Sequence, residues 1–549
     1  MTFSFPVLSA MILIPLVGAG IVVRLPQSQA WIARALGLVV TSSVLGLGLW
    51  LMVAFKRGEA GYQAVEHHVW IKDLGISYSL GVDGISLFLV VLTAILFPIA
   101  ILISESVTHN QRSFVAWLLI LQSSVIVVFT ARDLFLFFVG FELVLIPMYF
   151  LIAGFGHGNA KRVAVKFVLF TMGGSIFFLA AMLTLASMYQ RSTGQWSFAI
   201  DALMQYASVS VPHTTAMWLF TGFAIAFAVK VPLFPLHTWL PDAHTEAPTA
   251  GSIILAGVLL KLGTYGFIRI AIPFFPYAAH RLMWILLVVS VIGIIYGAIV
   301  ATMQPDLKRL IAYSSIAHLG FVVLGIASLT QQGLSGAVFT MVSHGLTTGA
   351  LFALVGVLYD RRHTREISAF SGLMKSVPVL GGLFLIATFA SIGLPGFSGF
   401  VGEFLSMLGA FATHRWYVVV AATGVIFAAL YLLWAFQRVF TGEPTGENAT
   451  MKDVNARELM CIVPLLALSL YLGMAPQFML DRINPSVEKL TEHISTHSNQ
   501  KTTDTVDPSR HSERSARHSE RSEESLSKTL RTLEVLRCTQ DDCTEEVTQ

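Results

Sequence analysis

Apolar stretches of about twenty residues, each long enough to cross a hydrocarbon core, recur from residue 5 to residue 475. Nothing constrains the chain more. Approximate spans are 5–23, 31–55, 84–104, 114–131, 134–155, 167–189, 216–234, 250–268, 282–303, 310–329, 334–359, 376–411, 416–436 and 458–475, about fourteen crossings. Only 12% of the 549 residues are charged, against about a quarter in a soluble domain. Backbone groups in lipid must be satisfied within a helix or a closed barrel, and the ten-residue alternation of barrel strands is absent. The reading is therefore an all-α polytopic membrane protein. The first span lacks a basic leader and a small-residue cleavage site, so it is read as retained.

Other classes are excluded by composition. A formal net charge of +3 without a basic groove argues against a nucleic-acid partner. Three cysteines, Cys461, Cys538 and Cys543, form no CxxC pair or Cys/His cluster of metal spacing. No dinucleotide fingerprint follows a strand. Lys and Arg concentrate in the odd-numbered connections, as at Lys161, Arg162, Lys166, Lys308, Arg309, Arg361, Arg362, Arg365 and Lys375. The positive-inside rule puts those connections in the cytoplasm and both termini on the other side.

Two spans are interrupted. One runs into Pro232 and Pro235, and proline removes a helical donor; the other contains Gly393, Pro395, Gly396 and Gly399. Either break alone reads better as a kinked helix, but the two lie five spans apart, each beside a charged residue, and paired breaks of this kind mark ion sites in transporters built from repeats. From residue 478 the chain turns hydrophilic and low in complexity: Arg510–Ala516 is nearly repeated as Arg517–Glu523 with no apolar seam, and disorder is expected.

Six ionisable residues fall inside spans: Glu142, Lys230, Lys261, His318, His344 and Glu403. A charge at the bilayer centre costs about 2.5–3.5 kcal/mol on insertion scales and needs a reason. Counting along the helices brings these six to similar depth, Lys230 and Glu403 only if their helices break. A row of such groups is a candidate proton relay. Burial disfavours the charged form of lysine and glutamate alike, and histidine titrates near neutrality. If Glu142 approaches Lys230 the pair holds the lysine charged; if it retreats, the proton can leave. The plainer alternatives are a structural salt bridge for Glu142 and Lys230, and helix–helix hydrogen bonds for the histidines. Glu105, Arg132, Asp133, Lys308 and Arg309 sit at span ends and are read as solvated or orienting charges. Asp83 is read as a helix cap. His237 and His244, after the first break, could serve a proton entrance or have no role at all.

The run from Lys230 to Pro248, with Pro232, Pro235, His237, Trp239, Pro241, Asp242, His244 and Glu246, resembles the signature of the antiporter-like subunits of respiratory complex I. Ser252–Lys261, the His318 and His344 segments and Gly393–Glu403 resemble the same family. It also includes subunits of multicomponent sodium/proton antiporters and membrane-bound hydrogenases. Most of its branches carry lysine at the second break; Glu403 is similar to the branch that carries glutamate.

The resemblance implies two inverted five-helix repeats. The expected layout is 1–110 for the first three helices, 111–272 and 273–440 for the repeats, 441–477 for a last helix, and 478–549 for the tail, which has no family counterpart. It implies that Glu142 and Lys230 are the coupling pair, Lys261 and His318 the connecting relay, and His344 with Glu403 the outlet. It also implies a place in the bacterial inner membrane beside other complex I membrane subunits, especially adjacent antiporter-like ones. NADH, FMN, iron–sulfur clusters and quinone are then expected in partner subunits.

Overall fold

The structure, a computed structural model, describes residues 5–26 and 29–498. Twelve helices among the described residues are long and apolar enough to cross a membrane. They differ in burial. In Val7–Arg24, Trp31–Ala54, Ala160–Thr193, Ser398–Phe440 and Ala456–Met474, less than half of the apolar window is covered by protein. Their outer faces carry Val53, Trp416 and Ile426, each at least 70% exposed, an apolar surface suited to lipid or to another membrane protein. By contrast Thr249–Phe274, Leu307–Ala327 and Gln331–Arg362 are 94% buried or more. They form the centre of the molecule.

Small residues let these central helices meet. A Cβ on Gly345 would lie 2.8 Å from the Gly257 carbonyl oxygen, so Gln331–Arg362 and Thr249–Phe274 touch backbone to backbone. One on Gly402 would lie 2.8 Å from Thr340 Cα, which seats Ser398–Phe440 against the same central helix. Without a hydrophobic force between helices in lipid, such close approach supplies the packing.

Both expected breaks are present. His213–Lys230 ends at Lys230, and the short helix Trp239–Glu246 follows after irregular chain through Pro232 and Pro235. Pro378–Ile392 ends at Gly393 (φ +84°), and a new helix begins at Ser398. That second helix bends at His414, where the backbone is non-helical, so the segments expected as 376–411 and 416–436 are joined across a kink.

Three features depart from the expectations. Span five divides at Val144 into Leu134–Leu143 and Leu145–Phe155; Pro147 offers no N–H to the Leu143 carbonyl four residues back. Residues Gln63–Ile71 and Ile76–Val82 pair as an antiparallel hairpin outside the spans, turning through Gly75 (φ +60°). Finally, the boundary at 478 is corrected. Gln477–Ser498 is an amphipathic helix that buries Met479, Ile483, Val487 and Ile494, and its Ser486 Oγ accepts the Gly84 N–H at 3.1 Å. Those four recur at helical spacing, one face in an otherwise polar segment. The rest of the expected tail, residues 499–549 with Cys538 and Cys543, lies outside the described residues.

Candidate functional site

Lys261 lies midway along the most irregular helix. Between Thr249 and Phe274 the α-helix is interrupted by two π-helical turns, Leu255–Leu259 and Phe267–Ala271, with Leu260–Gly266 between them. A π turn releases a carbonyl from the usual ladder, and such turns collect at functional sites. Here the Lys261 ammonium, fully buried, donates to the Ala256 carbonyl oxygen within the first π turn. It also meets His344 Nδ1 at 2.7 Å. The His344 ring stands 5.8 Å from the His318 ring, centroid to centroid. His318 Nδ1 in turn meets Glu403 Oε1 at 2.6 Å. Glu403 is within reach only because its helix restarts after the break: its other oxygen lies beside Gly393 at the gap.

Four of the six expected residues therefore form one connected row on four separate helices. All four are buried, and His344 Nε2 has no hydrogen-bond partner in the structure. Each of the four side chains is titratable, and each lies beside the next in the row.

Glu142 and Lys230 are brought near one another but not into contact. Lys230 Nζ donates to the Phe141 carbonyl oxygen at 3.3 Å and lies 4.4 Å from the centre of the Phe141 ring. The charge of Glu142 acts on it. Among the described residues no ion pair within 4 Å joins the two, and Glu142 Oε1 is buried without a partner. Of the two positions the sequence reading allowed, the structure holds the separated one. Lys230 is close to the row through its backbone: a Cβ on Gly263 would lie 2.9 Å from the Val231 nitrogen.

Two further ionisable side chains are buried that were not placed inside a span. Lys308, read as an orientation signal, is buried, and its Nζ donates to the Ala247 carbonyl oxygen. His244, given no fixed role, is fully buried with both ring nitrogens unpartnered, stacked on Phe352 at 4.7 Å. It feels the charges of both Lys308 and Lys261. Beyond Lys308 lies a cavity of about 550 Å³ lined by Asn159, Arg162, Lys166, Asp242, Glu246 and Arg309. Asp242 pairs with Lys166 at 2.7 Å and with Arg309 at 3.4 Å, while Glu246 Oε2 is buried without a partner. At the same end, burial followed by the Lys308 and Arg365 charges pushes His157 down to about 4. No motif reveals Lys308 as buried; the signal was only its place one residue inside a helix that Asp306 caps.

Several charges expected to be structural are so. Asp83 caps Gly84–Ile103, accepting from the Ile85 and Ser86 N–H groups. Arg132 pairs with Asp201 at 2.8 Å, Asp133 caps Leu134–Leu143, and Arg457 pairs with Glu105. His237 stacks on Phe234 and meets the Tyr296 ring edge-on.

Comparison with known proteins agrees with this architecture. Residues 131–428 match the family described as NADH:quinone oxidoreductase/Mrp antiporter, TM, and residues 64–128 the amino terminus of NADH-ubiquinone oxidoreductase chain 4. NADH-quinone oxidoreductase subunit M of Rhodobacter capsulatus is 40% identical over 504 residues, covering 89% of this chain and 96% of that one. NADH-ubiquinone oxidoreductase chain 4 of Chondrus crispus is 39% identical, covering 88% and 97%. A chain of respiratory complex I from Thermus thermophilus superposes with a TM-score of 0.81 at 33% identity, covering 89% and 99%. A chain of the Mrp complex from Dietzia shares the fold, with a TM-score of 0.79 at 20% identity, covering 90% and 99%.

Proposed function

We propose that this chain, which belongs to the NADH:quinone oxidoreductase/Mrp antiporter family and within it to the subunit M relatives, moves protons along its buried row. It is a membrane-embedded, proton-translocating subunit of a bacterial-type NADH-quinone oxidoreductase, or respiratory complex I, of the chain M kind and the counterpart of mitochondrial chain 4. The redox reaction belongs to the whole enzyme, and NADH, FMN, the iron–sulfur clusters and quinone are assigned to partner subunits. Its partners are the other membrane subunits, adjacent antiporter-like chains first among them. The Lys and Arg distribution supports both termini on the periplasmic side, and the breaks at Lys230 and Gly393 support inverted repeats over 111–272 and 273–440 within fourteen helices.

The observation that carries the reading is the contact series Lys261–His344–His318–Glu403, at 2.7 Å, 5.8 Å between rings, and 2.6 Å. A set of purely structural charges would be paired off; here a lysine meets a histidine and His344 keeps a free nitrogen. Glu142 and Lys230 act as the switch. In this reading Glu142 in contact holds the proton on Lys230, and the two parting lets it leave. Redox-driven movement of the pair would then load or unload Lys261.

The test is a set of variants in the intact complex, with proton uptake into vesicles measured alongside NADH oxidation. Lys230→Ala and Glu142→Ala should assemble and lose pumping. If they assemble, oxidise NADH and pump normally, the relay reading is wrong; if they fail only to assemble, the charges are scaffolding. A second reading, a subunit of a multicomponent sodium/proton antiporter or membrane-bound hydrogenase, predicts that the chain does not follow NADH dehydrogenase activity on native separation.

A further inference from the structure

A relay at mid-membrane depth must not be open to both faces at once. At the end that carries the hairpin, a cavity of about 120 Å³, large enough for several waters, is lined by Tyr62, Asp83, Asp201, Arg269, Lys489 and His493. Lys489 and Asp201 are exposed, so the cavity reaches the surface. Its floor is made by Arg269, which lies on the same helix as Lys261 and about 12 Å further along it, two turns at 1.5 Å per residue.

Arg269 is held from every side. Its guanidinium pairs with Asp83 at 2.6 Å, with both side chains nearly buried. Its Nε donates to the Tyr265 hydroxyl at 3.2 Å, and that hydroxyl donates to the Phe129 carbonyl oxygen at 3.2 Å. The Tyr62 and Tyr265 rings lie 5.2 and 5.5 Å from the guanidinium carbon. Asp83 is equally occupied, since its second oxygen caps Gly84–Ile103. Tyr265 stands between this pair and Lys261.

We propose that the Arg269–Asp83 pair, clamped by Tyr62 and Tyr265, is a proton barrier that separates the hairpin-side cavity from Lys261 and so keeps the row from short-circuiting across the membrane. An arginine does not give up its proton in a protein, so it cannot pass one on, and a fixed arginine charge repels protons in pores. Both Asp83 oxygens are engaged, one by two backbone N–H groups and the other by the guanidinium. The proposal rests on Lys261 being a proton carrier, but the barrier fails or holds by its own measurement.

That measurement is the passive proton flux into vesicles containing the whole complex, driven by an imposed pH gradient and read with a trapped pH dye, with no NADH. Arg269→Gln leaves the Asp83 carboxylate buried without its cation, and such a group takes up a proton to become neutral. It becomes a stepping stone, and the flux should rise about tenfold, the change that one 1.36 kcal/mol step in a barrier produces. Asp83→Asn keeps the cation and should remain as tight as the parent. Lys261→Met combined with Arg269→Gln should abolish the extra flux. Equal leaks in Arg269→Gln and Asp83→Asn would overturn the proposal, because loosened packing would explain both. A tight Arg269→Gln would overturn it directly. Should Arg269→Gln fail to assemble, Arg269→Lys keeps a cation beside Asp83 but one that can release its proton when buried; a leak there supports the barrier and its absence refutes it. Normal pumping by Lys261→Met alone would instead reject the underlying relay.

Discussion

Replacing Glu403 separates its two possible duties, anchoring His318 and carrying a proton. Glu403→Gln keeps the shape and one hydrogen bond to His318 Nδ1, now 2.6 Å, but removes the carboxylate. Hydrogen bonds to charged groups contribute about 1.5–3 kcal/mol and neutral ones about 0.5–1.5. The anchoring loss is therefore about 1–1.5 kcal/mol, or roughly 5- to 13-fold in any rate that depends on His318 being in place. A glutamine side chain cannot bind a proton at neutral pH at all, so a carrier role predicts complete loss of transfer past this position. Glu403→Asp makes the opposite separation. It keeps the titratable group but withdraws it by one carbon–carbon bond, about 1.5 Å, which stretches the contact to about 4 Å, beyond hydrogen-bonding range. The assay is proton uptake per NADH oxidised in vesicles, with native electrophoresis to show that each variant assembles. Expected are no transfer through this chain for Gln and a partial loss for Asp. A Gln variant that pumps at the parental ratio would refute the carrier role; equal partial losses in both would leave Glu403 as an anchor only.

Lys261→Met should assemble and lose pumping, because no carboxylate is left unpaired and a buried charge is exchanged for an apolar chain of similar length; failure to assemble while pumping persists in the residue that does form would contradict this. Lys308→Met should slow pumping, whereas Lys161→Met, exposed on its helix, should not; equal rates in the two would return Lys308 to an orienting role. A stop after Pro476 removes the burial of Met479, Ile483, Val487 and Ile494, worth about 6–12 kcal/mol at 1.5–3 per side chain and an upper bound, so the chain should be absent from assembled complex on native gels. His157 is neutral in the fold, pushed down to about 4 from 6.5, so its contribution to stability is full above about pH 6.5 and is lost as pH falls toward 4. His157→Phe should flatten thermal stability between pH 7 and 5, and an unchanged slope would contradict the assignment.

Span positions were legible because the bilayer imposes a length on each helix. The buried ionisable residues were legible because each is an exception in an apolar run. What the sequence could not carry was partnership. Lys261 next to His344, and His318 next to Glu403, depend on which helices are central, and that is decided by small-residue contacts such as Gly257 with Gly345. Lys308 and His244 were missed for a related reason. Each sits in a segment whose composition reads as loop or span end, and only packing against Phe352 and the Ala247 backbone shows them buried. The helix Gln477–Ser498 was missed because its buried face is narrow and its remaining residues are polar. The hairpin was missed because its strand Gln63–Ile71 turns mostly exposed residues outward.

The π-helical turns tie these observations together. A regular helix from Thr249 to Phe274 would place each side chain on the face set by 3.6 residues per turn. Each π turn adds a residue to one turn and rotates everything after it, so the two turns flanking Leu260–Gly266 set that segment's facing independently of both ends. On one side of it Lys261 reaches the released Ala256 carbonyl and His344; further along, Tyr265 and Arg269 reach Phe129 and Asp83. The same irregular helix thus presents its one titratable amine to the row and its one permanent cation to the opposite cavity. A protonatable group and a fixed charge two turns apart on one helix are what a conductor and its insulator require, and neither the apolar count nor the charge count of the segment distinguishes them.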